Sequence, residues 1–247
     1  MADIFVLLGA GVLAGVASTV ASLASVISYP VLLALGLSPV SANMTNTVAL
    51  VFAGAGAAGG SRPELAGQGA RVRRFGLLTA LGGGAGAALL LLIPAQAFQE
   101  VAPGLIGAAS LLLIVQPMIT GLTARPDGEH SRLLRLALAG AAVYIGYFGA
   151  AGGILLLAVL TAMLDQPLAR NIAVKNVVSG LANATAAVGF AVFGPVQWTA
   201  VAPLSVGFLI GGWIGPALVR RLPAQAVRMG IGAFGLILAV TLGIRTY

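Results

Sequence analysis

The feature that most constrains this chain is a series of ten apolar runs, separated by short polar or basic gaps. They cover residues 4–20, 26–37, 47–60, 75–93, 101–123, 133–148, 154–164, 172–193, 198–219 and 227–244. Such runs cannot all be buried in one water-soluble core, and 8% charged residues could not wet its surface, because a soluble domain carries about 25%. Hydrocarbon leaves no unpaired backbone polar group, and the period-two alternation of a membrane barrel is absent. The runs are therefore read as helices. At about 20 residues per crossing, 247 residues allow seven or eight spans and no large soluble domain. The opening stretch MADIFVLLGAGVLAGVAS carries Asp3 and no basic region, so it reads as a first membrane segment and not as a signal peptide.

A net charge of +7 would suit nucleic acid if the cations formed a stripe or a tail. They lie instead in the gaps between apolar runs, as topology signals do, and nucleic acid is not expected as a partner. The chain has no cysteine, which removes disulfides and thiolate chemistry. Its one histidine, His130, lies in a charged loop, and its six acidic residues are scattered. Neither a Ser–His dyad nor a metal cluster can be assembled inside the bilayer, and a Ser–Lys pair using Lys175 lacks a nucleophile elbow. No enzyme activity, cofactor or metal is expected.

Two runs are too long for one span and broken in the middle: 4–37 at Ser18–Ser25, and 133–164 at Gly146–Gly153. Each is followed by a Pro-containing turn and another helix. Shifting the chain by 128 residues superposes the breaks, places Pro39 on Pro167 and Asn43 on Asn171, and gives five identities in the thirteen positions from Val31 to Asn43. This predicts an all-α polytopic membrane protein of two repeats, each a broken, re-entrant helix followed by three transmembrane helices. Repeat 1 spans 1–123, with a broken helix at 4–37 and helices at 41–60, 73–93 and 99–123. Repeat 2 spans 132–247, with a broken helix at 133–164 and helices at 169–193, 198–219 and 225–245; residues 124–131 link them. If the broken runs crossed fully, the basic residues would divide seven to five between the two sides. If they fold back, the repeats are inverted and twelve of the thirteen basic residues share one face, leaving only Arg245 opposite. The positive-inside rule then makes that face cytoplasmic. Gly11-x-x-x-Gly15, Gly82-x-x-x-Gly86 and Gly211-x-x-x-Gly215 offer small faces for close helix packing.

Paired broken helices point to a transporter binding site. The half-helices starting near Val26 and Ile154 would present uncapped N–H groups and positive dipole ends to an anion. The substrate-binding candidates are Ser22 and Ser25 in the first break, and Gly149, Gly152 and Gly153 in the second. Asn43, Asn46 and Thr47 follow the first half-helix; Asn171, Lys175 and Asn176 follow the second. Lys175, the sole lysine, lies in repeat register with Thr47; a snorkelling anchor is its alternative role. Asp165 and Arg170 are coupling candidates. Asn183 and Thr185 could line the same path.

Gly36-Leu37-Ser38-Pro39-Val40-Ser41-Ala42-Asn43-Met44-Thr45-Asn46 and its second copy, Gly149 to Gly153 followed by Gln166 to Asn171 and Lys175-Asn176, resemble the TauE/SafE sulfite-exporter family, also called the toluene-sulfonate uptake permeases. The resemblance covers nearly the whole chain. It implies a multi-pass prokaryotic inner-membrane transporter of small sulfur-containing anions such as sulfite, sulfoacetate or other organosulfonates. The first break departs from the family pattern, with Ala21-Ser22-Leu23-Ala24-Ser25 in place of a glycine cluster, and this leaves the ligand open. The expected function is secondary transport by alternating access. The alternatives are an anion channel, or a carrier of another small organic anion. The partners are the substrate anion and the lipid bilayer, and the pattern is compatible with a homo-oligomer.

Overall fold

A computed structural model describes residues 2–98, 100 and 131–221. Within them the chain is helical and contains no strand. The helices are α1 (Ala2–Ala21), α2 (Ala24–Ala34), α3 (Pro39–Gly60), α4 (Arg62–Leu65), α5 (Gly69–Leu92), α6 (Arg132–Tyr147), α7 (Gly152–Met163), α8 (Leu168–Phe193) and α9 (Trp198–Arg221). The expected helices at 99–123 and 225–245 lie outside the described residues, apart from Glu100, as does most of the 124–131 linker.

Local chemistry sets several of these boundaries. Ser38 caps α3 by accepting from the Ser41 amide at 3.4 Å, with Pro39 at the first helical position. Ser131 caps α6 in the same way through the Leu134 amide. The breaks are shorter than the sequence suggests: Ser18 to Ala21 remain helical, leaving Ser22–Leu23, and the second interruption covers only 148–151. The half-helices accordingly begin at Ala24 and Gly152. α4, a single turn after α3, is not foreseen.

Among the described residues, four stretches are long and apolar enough to cross a membrane: Asp3–Val20, Gly69–Leu92, Leu168–Phe193 and Trp198–Leu218. α3 is of similar length, but Asn43-Met44-Thr45-Asn46-Thr47 dilutes its apolar content. Leu77, Leu81, Leu92, Val188, Val192 and Phe193 are all more than 60% exposed. Outward apolar surface on this scale suits lipid.

Small residues set the helix directions. Gly11 lies against Leu204 and Gly207, Gly15 against Phe208 and Gly211, and Thr19 against Gly215, so α1 and α9 run parallel. A β-carbon at Gly15 would stand 2.8 Å from the Phe208 carbonyl oxygen. α3 also runs parallel to α9: Ser41 Oγ donates to the Pro195 carbonyl at 2.7 Å, and Gly60 meets Trp213 near the far end. On the other side, α5 packs parallel to α6 (Gly82 on Ala139, Gly86 on Tyr147) and to α8 (Thr79 on Val178, Gly189 on Ala87 and Leu91). α3 and α8 cross antiparallel, with Gly54 against Gly180 and Met44 against Gly194. α1 and α3 are thus codirectional, and the chain between them returns through α2. α6 and α8 are codirectional in the opposite sense, and α7 makes the return.

One end of the bundle carries the described arginines, at positions 62, 71, 73, 74, 132, 135, 170, 220 and 221. Arg220 donates to both carboxylate oxygens of Glu64, at 2.8 and 3.0 Å, and to the Gly60 carbonyl. That bond, chiefly, holds the Glu64 carboxyl below its usual pKa. Arg170 donates to the Glu64 and Ala66 carbonyls. Gln166 accepts from Gln68 and from Arg71.

Candidate functional site

Both breaks reach the interior between α3 and α8. At the first, the Ser22 amide bonds the Ser18 carbonyl at 3.1 Å and the Leu23 amide reaches back to Ala17 at 3.2 Å. Ser22 adopts φ 61, which a serine visits at a cost of about 1–2 kcal/mol. At the second, Gly149 has φ 77 and Ala151 φ 56. Tyr144 stabilises this turn by donating its hydroxyl to the Ala150 carbonyl at 2.9 Å. Neither α2 nor α7 has a side-chain cap; the Val26, Gly152 and Ile154 amides bond back to the Leu23, Gly149 and Ala151 carbonyls, and the positive dipole ends of both helices lie at the junction, where Ala24, Ser25 and Gly153 line it.

A cavity of about 30 Å³ lies at this junction, space for roughly two waters on that measure. Five of the substrate-binding candidates line it, Ser22, Ser25, Gly149, Gly153 and Lys175, and so does Asn183. The two breaks nearly touch there. A β-carbon on Gly153 would stand 2.7 Å from Ser22 Cβ and 3.0 Å from Ser22 Oγ. Lys175 is 2% exposed, and its Nζ donates to the Ser18 carbonyl at 3.0 Å. A side chain from the second half therefore holds the end of α1. Asn43 does the converse, donating through Nδ2 to the Tyr147 carbonyl at the end of α6.

The remaining candidates stand elsewhere. Asn46 donates to Ser25 Oγ at 3.0 Å and accepts from Ser28 Oγ at 2.5 Å, so its amide is spent on positioning α2. Thr47 Oγ1 bonds the Asn43 carbonyl of its own helix and does not share the place that repeat register gave it with Lys175. Asn171 bonds Gln166 and the Leu164 carbonyl. Gly152 packs under Ile145 and Tyr144. Asp165 is exposed in the link before α8, and Arg170 is committed to the backbone carbonyls around α4. Asn176 lines an adjoining space that shares Ser18, Leu50, Ser179 and Asn183 with the first. Its Nδ2 and Asn183 Oδ1 are buried without a partner among the described residues.

Sequence reasoning missed Ser18 and Ser179, and the signal was available. Ser18, Ser22 and Ser25 follow one another by four and three residues; Lys175, Ser179 and Asn183 follow by four. Polar residues at that spacing share a helix face, as the second set does on α8, whereas the first set straddles the break.

The chain matches the family described as sulfite exporter TauE/SafE over residues 7–242. It belongs to that family. No curated protein and no solved structure matches it. Membership makes this TauE/SafE chain a membrane transport protein, in keeping with its apolar helices and lipid-compatible surface. The chemistry available at the junction suits binding more than bond-making. It offers hydroxyls, an amide, backbone N–H groups and a single cation, and no cluster of three or more potential metal-binding side chains occurs among the described residues.

Proposed function

We propose that this protein is a secondary transporter of sulfite or a comparably small sulfur-containing anion, which it holds between the two breaks and releases by alternating access. One observation carries the reading: Lys175, buried and far in sequence from both breaks, meets Ser22, Ser25 and Gly153 beside two uncapped half-helix N-termini. A cation, hydroxyl donors and two positive dipole ends recognise an oxyanion without any acidic residue. The small cavity favours a compact oxyanion over a long organosulfonate.

The mechanism we propose is the movement of two inverted repeats about this point. Support comes from the opposite senses of α1 and α6, α3 and α8, and α5 and α9, and from helix starts that correspond at offsets near 128. The arginine-bearing end is assigned to the cytoplasmic side of the inner membrane by the positive-inside rule.

The test is sulfite binding to purified protein under anoxia, with sulfate, methanesulfonate, sulfoacetate and acetate as competitors, followed by counterflow in proteoliposomes. Sulfite should bind most tightly, and unlabelled sulfite inside should accelerate entry of labelled sulfite. Binding without trans-stimulation would make the protein a channel; absence of anion binding would overturn the site.

A further inference from the structure

We propose that Lys175 couples anion binding to proton uptake, so that each anion loads together with one proton. The inference rests on the anion-site reading above. An ammonium group has three N–H donors. Among the described residues Lys175 Nζ has one acceptor, the Ser18 carbonyl at 3.0 Å. The groups lining its cavity from α1, α2, α3, α6, α7 and α8 are hydroxyls, an amide, backbone and apolar carbon; none is charged or titratable near neutrality. The described carboxylates, Asp3, Glu64, Glu100 and Asp165, line neither interior space.

In the empty site, a protonated Lys175 is a buried charge that no described residue compensates, which is expensive. The neutral amine has no charge to compensate and one N–H donor fewer, and it keeps the Ser18 carbonyl as acceptor. An entering oxyanion supplies both the countercharge and the missing acceptors, so anion and proton stabilise each other. Linkage makes the effect reciprocal. The proton comes from water on the loading side, joins the Nζ lone pair, and returns to water when the anion leaves. A monoanion then crosses with no net charge. Asp165 and Arg170 cannot serve this role from where they stand.

Proton uptake can be read by titration calorimetry of sulfite binding in buffers of different ionisation enthalpy, across neutral to alkaline pH. Sulfite itself titrates near neutrality, so Lys175→Arg, charged throughout, reports the ligand's own protons. The native protein should take up more protons per sulfite than Lys175→Arg, with the difference rising toward one as pH increases. Its affinity should fall by up to tenfold per pH unit relative to the variant. If the guanidinium does not fit, Lys175→Gln is the reference, neutral at every pH, with weaker binding and the same reduced uptake. Equal uptake and parallel pH profiles, with sulfite still bound, would overturn the coupling and leave the anion site standing. No binding of sulfite by the native protein would overturn the site itself.

Discussion

The two breaks solve one geometric problem with different chemistry. The first reverses the chain in two residues, forces Ser22 into the left-handed region, and is held by Asn46 gripping Ser25 and Ser28. The second takes four residues, places Gly149 and Ala151 at positive φ, and is held by Tyr144 on the Ala150 carbonyl. Register places Ser25 opposite Gly153, so one half supplies hydroxyls where the other supplies bare backbone. The cation then comes from the second half, one helix later, and reaches across to the Ser18 carbonyl near the end of α1. The two breaks thus build an unlike pair of surfaces: one offers hydrogen bonds, and the other offers close approach and charge.

That division can be broken most severely at the bare side. Gly153→Val would push a branched side chain into Ser22 and fill the cavity. Sulfite affinity should fall more than about 100-fold, because the loss combines steric exclusion with displaced half-helix amides. Ser25→Ala, on the hydroxyl side, should cost only several-fold. Comparable losses in equilibrium binding would mean that the surfaces are not specialised.

Lys175→Ala comes next. Losing a charge-assisted hydrogen bond in a partly dehydrated site costs on the order of 1.5–3 kcal/mol, or roughly ten- to a hundred-fold in affinity. Unchanged affinity in monodisperse protein would make Lys175 a clamp on α1 alone.

Asn46→Ala sharpens the comparison from the structural side. It removes two buried side-chain hydrogen bonds and should lower stability by about 1–2 kcal/mol, with sulfite affinity falling only indirectly through a displaced Ser25. Thermal unfolding in detergent, alongside binding, measures both effects. A large affinity loss at unchanged stability would return Asn46 to the site.

The smallest effect lies away from both breaks. Glu64 has its pKa lowered by Arg220, so their contact stabilises the fold above the ordinary carboxylate range and loses that contribution as pH falls through the lowered value. The pair lies at the surface, with Arg220 exposed and Glu64 partly covered, so Glu64→Gln should cost less than about 1 kcal/mol and flatten only the acid limb of a stability–pH curve. A change in sulfite binding would show that this end reports to the junction.

The sequence alone determined the helical character, the positions of the interruptions and the gathering of arginines between particular runs. These follow from local rules. Backbone groups must pair within each segment in a bilayer, Ser- and Gly-rich stretches interrupt helices, and cations stay at interfaces. It also placed Ser22, Ser25, Gly149, Gly153 and Lys175 on one list, along with residues that do other work. Only the tertiary structure separated them. Periodicity tells which residues share a face of one helix, but not what that face meets. Asn46 and Lys175 are both polar residues inside an apolar helix. One finds Ser25 and Ser28 within reach and is satisfied; the other, among the described residues, finds a single carbonyl beside a small cavity. Which of the two outcomes a buried polar group meets depends on how helices distant in sequence pack, and here glycine contacts such as Gly54 on Gly180 and Gly15 on Gly211 set that packing.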